Sequence, residues 1–311
     1  MKHKPAVCSL AHDSAAKLIG NRASDLRKYV KAAATHEVEG IHDMRVASRR
    51  LRSALAAHAR LFKKKRRKAF QESMREVTRC LGKARELDVT ILALSKRRNH
   101  QQGAPRAAAN AVLSHLRDLR KAECAQVDTA VSLVSDSAFA ECLDAMLSRT
   151  KPAHSCYVRD ASVALTTEFG DLLRRFSAWQ LEPNEESLHQ VRIAFKKLRY
   201  HCENLGPLYG TRMTRFIEEL KASQEILGDW NDIRILRNYV AAAPMPDSDE
   251  LRGGIDELRA ILDAEVNGYL IAFGETAVEF FSEAKYEYAL DLFASAKTPC
   301  CNPALSQEAS D

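Results

Sequence analysis

Apolar residues recur at helical spacing along most of the chain, and alternating polar and apolar runs are absent. In one clear example they return on one face of a helix at Met44, Ala47, Leu51, Leu55, His58 and Phe62. Proline, which interrupts helices, does not occur between Pro5 and Pro105. The pattern therefore predicts an all-α protein.

Several helix boundaries can be predicted from local chemistry. Asn184 follows a proline and precedes two glutamates, which is typical of a helix N-cap. Gly40 is expected near the start of the helix that carries His42, and Asp247 or Ser248 is expected to begin another helix.

An internal repeat organises the chain. The segment HDMRVASRRLR, which begins at His42, resembles HQVRIAFKKLR, which begins 147 residues later at His189. A second pair follows in the same order at an offset of 146 residues, in which Phe70, Met74, Arg75, Leu81, Gly82 and Glu86 match Phe216, Leu220, Lys221, Leu227, Gly228 and Asp232. The repeat predicts two homologous halves of about 150 residues, which meet near residues 150–152.

Positive charge is concentrated in one region of the chain. The net charge is +6, yet residues 42–68 alone contain eleven lysines and arginines and a single acid, Asp43. Such a concentration indicates a polyanionic partner.

The basic residues of both repeats form stripes on a helical wheel. Relative to His42, the basic positions Arg45, Arg49 and Arg52 fall at roughly 280° to 340° and Arg60 returns to about 0°, whereas the apolar positions cluster near about 180°. The second repeat shows the same separation between His189, Arg192, Lys196 and Arg199 and the apolar Val191, Ala194 and Leu198. A solvated helix face usually mixes the signs of its charges, and neither stripe contains an acid. A ligand that supplies the missing negative charge is the alternative to a merely solvated face.

Four ordered motifs resemble those of the CHAD family, whose name stands for conserved histidine α-helical domain. They are His42-x-x-Arg45-x-x-x-Arg49-Arg50-Leu51-Arg52, Leu81-Gly82-Lys83-Ala84-Arg85-Glu86-Leu87-Asp88-Val89, His189-x-x-Arg192-x-x-x-Lys196-Lys197-Leu198-Arg199-Tyr200 and Leu227-Gly228-x-x-Asn231-Asp232. The resemblance covers nearly the whole chain. It departs from the family pattern at Glu86, where aspartate is commoner, and at the paired Lys196 and Lys197, where the first repeat has arginines.

The resemblance implies two antiparallel four-helix bundles related by a pseudo-twofold axis, with a basic central cavity between them. We expect the first bundle at residues 1–151, the second at 152–297 and a disordered tail at 298–311. It also implies non-catalytic binding of inorganic polyphosphate, possible association with polyphosphate granules, their proteins or polyphosphate-metabolising enzymes, and no cofactor, metal or catalytic residue. The expected polyphosphate contacts are His42, Arg45, Arg49, Arg50, Arg52, Arg75, His189, Arg192, Lys196, Lys197, Arg199 and Lys221.

Nucleic acid is the main alternative partner. The basic run Lys63–Lys68 could contact a phosphate backbone, or it could be a solvated loop between helices. Recognition of single strands usually adds aromatic side chains that stack on bases, and Tyr200 is the clear candidate within the basic segments.

A metal-dependent phosphohydrolase of the HD type is a second alternative. His42 and Asp43 form the name-giving pair, and His36 and Asp88 could add ligands. Gln190 replaces the aspartate in the second repeat, and the neighbouring arginines would repel a divalent cation.

The remaining sequence features predict a protein of the cytoplasm. No stretch approaches the roughly 20 apolar residues that cross a bilayer, and the N-terminus does not read as a signal peptide. The eight cysteines are scattered and form no CxxC pair, which argues against a zinc ribbon and a disulfide framework.

Overall fold

The computed structural model describes residues 5–148, 157–244 and 248–296. The described residues form helices and short connections without any β-strand, so the predicted all-α class is confirmed. The α-helices in chain order are α1 Pro5–Lys28, α2 Val30–Ala34, α3 Val38–Ala57, α4 Lys64–Cys80, α5 Gly82–Arg98, α6 Gly103–Ala122, α7 Cys124–Ser135, α8 Ser137–Leu147, α9 Tyr157–Leu181, α10 Glu185–Leu205, α11 Thr211–Ala242, α12 Asp249–Phe280 and α13 Glu283–Ala294.

Helix starts agree with the capping chemistry of the sequence. Asn184 caps α10, because its side chain accepts a hydrogen bond from the backbone N–H of Ser187 at 2.8 Å. The Ser187 hydroxyl accepts one from the Asn184 N–H at 3.2 Å, which completes a capping box. Ser248 caps α12, and α3 begins at Val38, two residues before Gly40.

Helix α3 is shorter than the apolar pattern predicts. It ends at Ala57, and a short 3-10 helix at Ala59–Leu61 turns the chain away. The wheel extended through Phe62 is therefore wrong at its C-terminal end, and Arg60 does not continue the basic stripe but forms an ion pair with Asp160 at 2.6 Å. The spacing of apolar residues in the sequence cannot reveal this turn. Phe62 is buried after the turn, just as it would be if the helix continued.

The basic run Lys63–Lys68 is not a loop. Lys63 is the N-cap of α4, and residues 64–68 form the first turn and a half of that helix. Most of these side chains are exposed, so the run presents a separate basic surface.

Two clusters of buried apolar residues hold the helices together. One cluster takes its residues from α1 to α4, α7 and α8, with Leu81 and the first turn of α5. The other joins the remainder of α5 and α6 to α9–α13. Helices α5 and α6 thus pack with the second half of the chain, and the division of the core differs from the division of the repeat. The expected domain boundary at 151 and 152 and the tail 298–311, with Cys300 and Cys301, lie outside the described residues.

Helices α6 and α12 approach closely at Gly254. A Cβ atom at this position would lie against the carbonyl oxygen of Ala104 and 2.6 Å from its carbonyl carbon. A Cβ at the neighbouring Gly253 would meet nothing within 4 Å.

These neighbouring glycines provide a matched test of the packing. We expect Gly254→Ala to lower the free energy of unfolding by about 1–3 kcal/mol, because backbone must move to admit the methyl group. Gly253→Ala should raise it by about 0.5–1 kcal/mol through helix propensity alone. Urea unfolding followed by circular dichroism measures both, and equal effects of the two variants would contradict the close approach.

No helix among the described residues is both long enough and apolar enough to cross a membrane.

Candidate polyanion-binding site

Helices α3 and α10, which carry the two repeats of the basic motif, pack against each other. Their apolar stripes are buried as the wheel predicts: Met44 and Leu51 on α3 and Val191 and Leu198 on α10 are fully buried. The histidines and basic residues that begin each stripe are half-buried. The packing of the apolar faces thus fixes the two basic rows close to one another.

Lys196 lies where the basic rows meet. Burial is the main cause that lowers its pKa to about 7, and the positive charges of Arg192, Arg49 and Arg45 lower it further. Asp232 opposes this shift. Cations from both helices therefore act on one lysine, and a single carboxylate counters them.

Arg45 joins α3 to the end of α4. Its Nη1 donates a hydrogen bond to the carbonyl oxygen of Thr78 at 2.8 Å, in the last turn of α4, where carbonyls lack partners within the helix. Burial lowers the pKa of Arg45, and the charge of Arg49 adds to this effect. Glu86 opposes it. The guanidinium is held in place by the backbone and retains other donors for a ligand.

Both histidines lie beside an arginine that the sequence analysis did not select. Burial is the first cause of the lowered pKa of His42, and Arg85 is the second. For His189 the same order holds with burial and Arg234. A lowered pKa favours the neutral imidazole, which has one N–H. In His189 this N–H is at Nδ1 and donates to Asn231 Oδ1 at 3.2 Å, so Nε2 can donate to a phosphate only when the ring is also protonated.

Arg85 lies in the second motif of the first half, on α5, and Arg234 lies two residues after the second motif of the second half, on α11. The sequence contained a signal for them, because each lies within two residues of the motif acid, Glu86 or Asp232. Arg234 also lies 3.8 Å from Glu185, so it is partly compensated. We define the central cluster by its histidines, its six cations and its two carboxylates: His42, His189, Arg45, Arg49, Arg85, Arg192, Lys196, Arg234, Glu86 and Asp232.

The charges of the central cluster do not balance. Within the cluster six cationic side chains face two carboxylates, and at its margin Glu39, Asp43 and Glu186 act on the histidines while Glu185 lies beside Arg234. Glu86 in addition accepts hydrogen bonds from Tyr239 at 2.8 Å and Lys83 at 2.9 Å, which reduces its capacity to neutralise arginine. The buried Nε atoms of Arg49, Arg192 and Arg234 have no hydrogen-bond acceptor among the described residues. Such a site favours an anionic ligand with many acceptor oxygens.

Some expected contacts already have acidic partners on α10 or near it. Arg199 donates to Glu203 at 2.5 Å and to Gln224 at 2.7 Å. Lys197 lies 3.4 Å from the buried Glu168. Both cations therefore already have acceptor partners in the free protein.

The remaining expected contacts lie outside the central cluster. Arg75 pairs with Glu72 at 2.8 Å and Lys221 pairs with Glu218 at 2.7 Å, each with an acid three residues earlier on its own helix. Glu72, Arg75 and Glu218 are exposed and Lys221 is half-buried, and such solvent-accessible pairs are easily exchanged for a ligand. Two further expected contacts lie on α3. Arg50 is exposed, and Arg52 is half-buried beside Arg75.

Residues that a phosphohydrolase site would recruit are engaged elsewhere. His36 bonds with Asp128 at 2.8 Å, and Asp88 forms an ion pair with Arg120 at 2.7 Å. In the described parts of the chain, no three His, Cys, Asp or Glu residues are grouped so that they could hold a metal ion.

A cleft between two helices of the second half lies away from the central cluster. It has a volume of about 670 Å³ and runs between α9 and α12, with mainly apolar lining from residues such as Leu173, Phe176, Trp179 and Val278. The expected basic central cavity and the internal duplication stay predictions.

Comparison with known proteins gives the chain its family. The family model of the CHAD domain matches residues 17–241. The chain belongs to the CHAD family. The resemblance found in the sequence motifs is thus confirmed, and the matched region contains all of the central cluster.

Two solved structures share the fold of this CHAD protein. The crystal structure of the CHAD domain from the plant Ricinus communis is 22% identical with a TM-score of 0.60, and the match covers 93% of each chain. PptA from Streptomyces chartreusis is 17% identical with a TM-score of 0.62, and the match covers 85% of this chain and 98% of that one. At these identities the likeness shows the fold alone. None of the curated proteins matches the chain.

Proposed function

We propose that this CHAD protein binds inorganic polyphosphate without catalysing its conversion, and that the central cluster is the binding site. CHAD domains are associated with polyphosphate-related proteins. The observation that carries the proposal is the position of Lys196, where Arg45 and Arg49 of α3 and Arg192 of α10 act on one buried lysine and Asp232 opposes them.

The chemistry of the cluster suits a chain of phosphates. An arginine fork donates two hydrogen bonds to two oxygens of one phosphate. The cations are distributed over four helices, α3, α5, α10 and α11, so several consecutive phosphates can each find a partner. A linear polyanion also carries condensed counterions, and their release on binding supplies an entropic driving force.

The environment of Tyr200 disfavours the nucleic-acid alternative. The guanidinium carbon of Arg49 lies 5.1 Å from the ring centroid and that of Arg199 lies 4.5 Å from it. The residue is only 7% exposed. In the free protein the ring is therefore covered by two guanidinium groups, and a base would have to displace them both to stack on it as single-strand binders require.

The absence of catalysis is part of the proposal. The cluster provides hydrogen-bond donors and positive charge, which bind phosphate, and its two carboxylates oppose the lowered pKa values of Arg45, Arg192 and Lys196. We further propose a cytoplasmic location, with recruitment to polyphosphate granules or their proteins through the bound polymer.

A salt-dependent competition titration tests the function. We expect the logarithm of the affinity for long-chain polyphosphate to fall linearly with the logarithm of salt concentration, with a slope of roughly −3 to −4 if four to six cations each neutralise one phosphate. Fluorescence anisotropy of end-labelled polyphosphate, with unlabelled tripolyphosphate, RNA and DNA as competitors, measures both quantities.

The competitors decide between the candidate partners. Long-chain polyphosphate should displace the probe at far lower phosphate-equivalent concentrations than RNA or DNA. Displacement by RNA at equal concentrations would favour the nucleic-acid alternative. Release of orthophosphate from polyphosphate in the presence of Mn²⁺ would contradict a purely binding role.

A further inference from the structure

Tyr200 connects the two basic helices. It lies on α10, and its ring is flanked by Arg49 of α3 on one hand and by Arg199 of its own helix on the other. In both contacts the guanidinium carbon lies less than 6 Å from the ring centroid, which is the range of cation–π interactions. The stacking accounts for the ring of Tyr200 but not for its hydroxyl group.

The Tyr200 hydroxyl is buried and has no hydrogen-bond partner among the described residues. Buried tyrosine hydroxyls ordinarily have a partner, and an unsatisfied one destabilises the fold. A phenylalanine would give the same ring packing without this loss. The hydroxyl therefore requires an explanation outside the packing of the free protein.

Hydrogen-bond donors from both helices lie in the region of Tyr200. Arg192 is close enough for the Tyr200 phenol to affect its pKa. The Nε atoms of Arg49 and Arg192 are also buried without an acceptor. Three donors from α3 and α10 thus lack an acceptor in one region, and a phosphate group can accept several hydrogen bonds at once.

The matching position in the first half of the chain does not carry an unpaired hydroxyl. The position 147 residues before Tyr200 is Ser53, whose hydroxyl accepts a hydrogen bond from Asn204 at 2.9 Å. The unsatisfied hydroxyl is therefore a property of the α10 side of the site and not of both repeats.

We propose that the Tyr200 hydroxyl is a ligand contact, which donates a hydrogen bond to an oxygen of one phosphate anchored between α3 and α10 by Arg49 and Arg192. The inference rests on the proposed function, since it assigns a position to one unit of the bound polymer. Contact requires the flexible Arg49 side chain, which covers the Tyr200 ring, to rotate towards the phosphate.

The Tyr200→Phe variant tests this inference, because it removes the hydroxyl and keeps both the ring and the charge. With end-labelled long-chain polyphosphate as the probe, we expect the affinity to fall about tenfold, as for a hydrogen bond to a charged group. The salt slope should stay unchanged, since the number of ionic contacts is the same. The melting temperature without polyphosphate should stay equal or rise, because a buried unsatisfied group is removed.

Tyr209→Phe is the matched control. This tyrosine is also buried, and its hydroxyl donates to the backbone carbonyl of Phe293 at 3.5 Å, away from the central cluster. We expect Tyr209→Phe to leave the affinity for polyphosphate unchanged and to leave the melting temperature equal or lower.

The outcomes separate this inference from the proposed function. Unchanged affinity of Tyr200→Phe, together with loss of binding when Arg49 and Lys196 are reversed, overturns the inference and leaves the function standing. A drop in melting temperature or a shallower salt slope overturns it as well, because the tyrosine then acts by supporting the arginines. Unchanged binding in both variants refutes the proposed function itself.

Discussion

Changing Arg49 and Lys196 together to glutamate is expected to abolish polyphosphate binding, with a loss of affinity of at least about a thousandfold. The two residues lie at the meeting point of α3 and α10, and each influences the charge state of the site. Reversing a half-buried charge removes one contact with phosphate and adds a repulsion, which costs roughly 2–5 kcal/mol for each residue.

The double variant should remain folded. The new carboxylates would face the arginines that now repel each other, so folding should not suffer from unpaired negative charge. Circular dichroism checks the helix content, and fluorescence anisotropy with labelled polyphosphate measures the affinity.

Arg117→Glu with Lys121→Glu is the matched control for charge. It reverses one arginine and one lysine that are exposed on α6. We expect it to weaken binding by less than about tenfold through the long-range field alone. Equal losses in the two double variants would show that net charge, and not the central cluster, governs binding.

Changing Lys196 to methionine is expected to stabilise the free protein while it weakens polyphosphate binding. Methionine has a similar length and lacks the charge that burial and three arginines disfavour. We expect the free energy of unfolding at pH 7 to rise by about 1–3 kcal/mol. The affinity should fall about ten- to a hundredfold, because one buried cation is lost.

The same residue makes stability depend on pH in a defined direction. The pKa of Lys196 is lowered in the folded protein to about 7, so above this pH the unfolded chain holds a proton that the folded chain has released. Stability of the unmodified protein should therefore rise with pH from about 7 towards the usual lysine pKa, and the penalty is fully present below pH 7. The difference between the unmodified protein and Lys196→Met should shrink over this range.

Urea unfolding at pH 6.5, 7.5 and 8.5 measures the difference. Working with the difference cancels other groups, such as Cys202 and Tyr209, whose raised pKa values affect stability at higher pH. Affinity for polyphosphate should fall over the same interval, since only the charged lysine attracts phosphate. A destabilising Lys196→Met with no pH dependence would contradict the buried cationic cluster.

Polyphosphate should in turn stabilise the fold more in the unmodified protein than in this variant. A polyanion raises the pKa of the lysine and so removes the penalty that the free protein carries. Binding sites often contain groups, such as a buried charged lysine, that lower the stability of the free protein but contact the ligand.

The fold class was predictable because it depends on local periodicity. The apolar stripes of α3 and α10 are present in the sequence, and burial of Met44, Leu51, Val191 and Leu198 follows from them. Helix ends were less predictable. The end of α3 at Ala57 is set by the turn that Phe62 makes into the core, and that turn depends on residues distant in sequence.

The two repeats also differ in a way that the matching sequences conceal. The second motif of the first half lies at a break between α4 and α5, at Leu81, whereas the corresponding segment of α11 is one continuous helix. The break places the Thr78 carbonyl where Arg45 can reach it. Sequence similarity alone treats the two segments as equivalent.

Pairing within a helix could have been recognised from spacing. Glu72, Glu203 and Glu218 lie three or four residues from Arg75, Arg199 and Lys221, and such neighbours meet on a helix surface. These three cations were therefore weaker candidates from the start. Glu168 is on another helix, so its contact with Lys197 could not be read from spacing.

The sequence by itself determined the helical class, the family, the similar basic motifs at His42 and His189 and the burial of their apolar faces, because each depends on residue types at short spacing. Only the tertiary structure decided which cations act together. The packing of α3 on α10 brings Arg45, Arg49, Arg192 and Lys196 into one cluster, and α5 and α11 add Arg85 and Arg234. Electrostatic energy depends on distance in space and on burial, and neither quantity is contained in the order of residues along the chain.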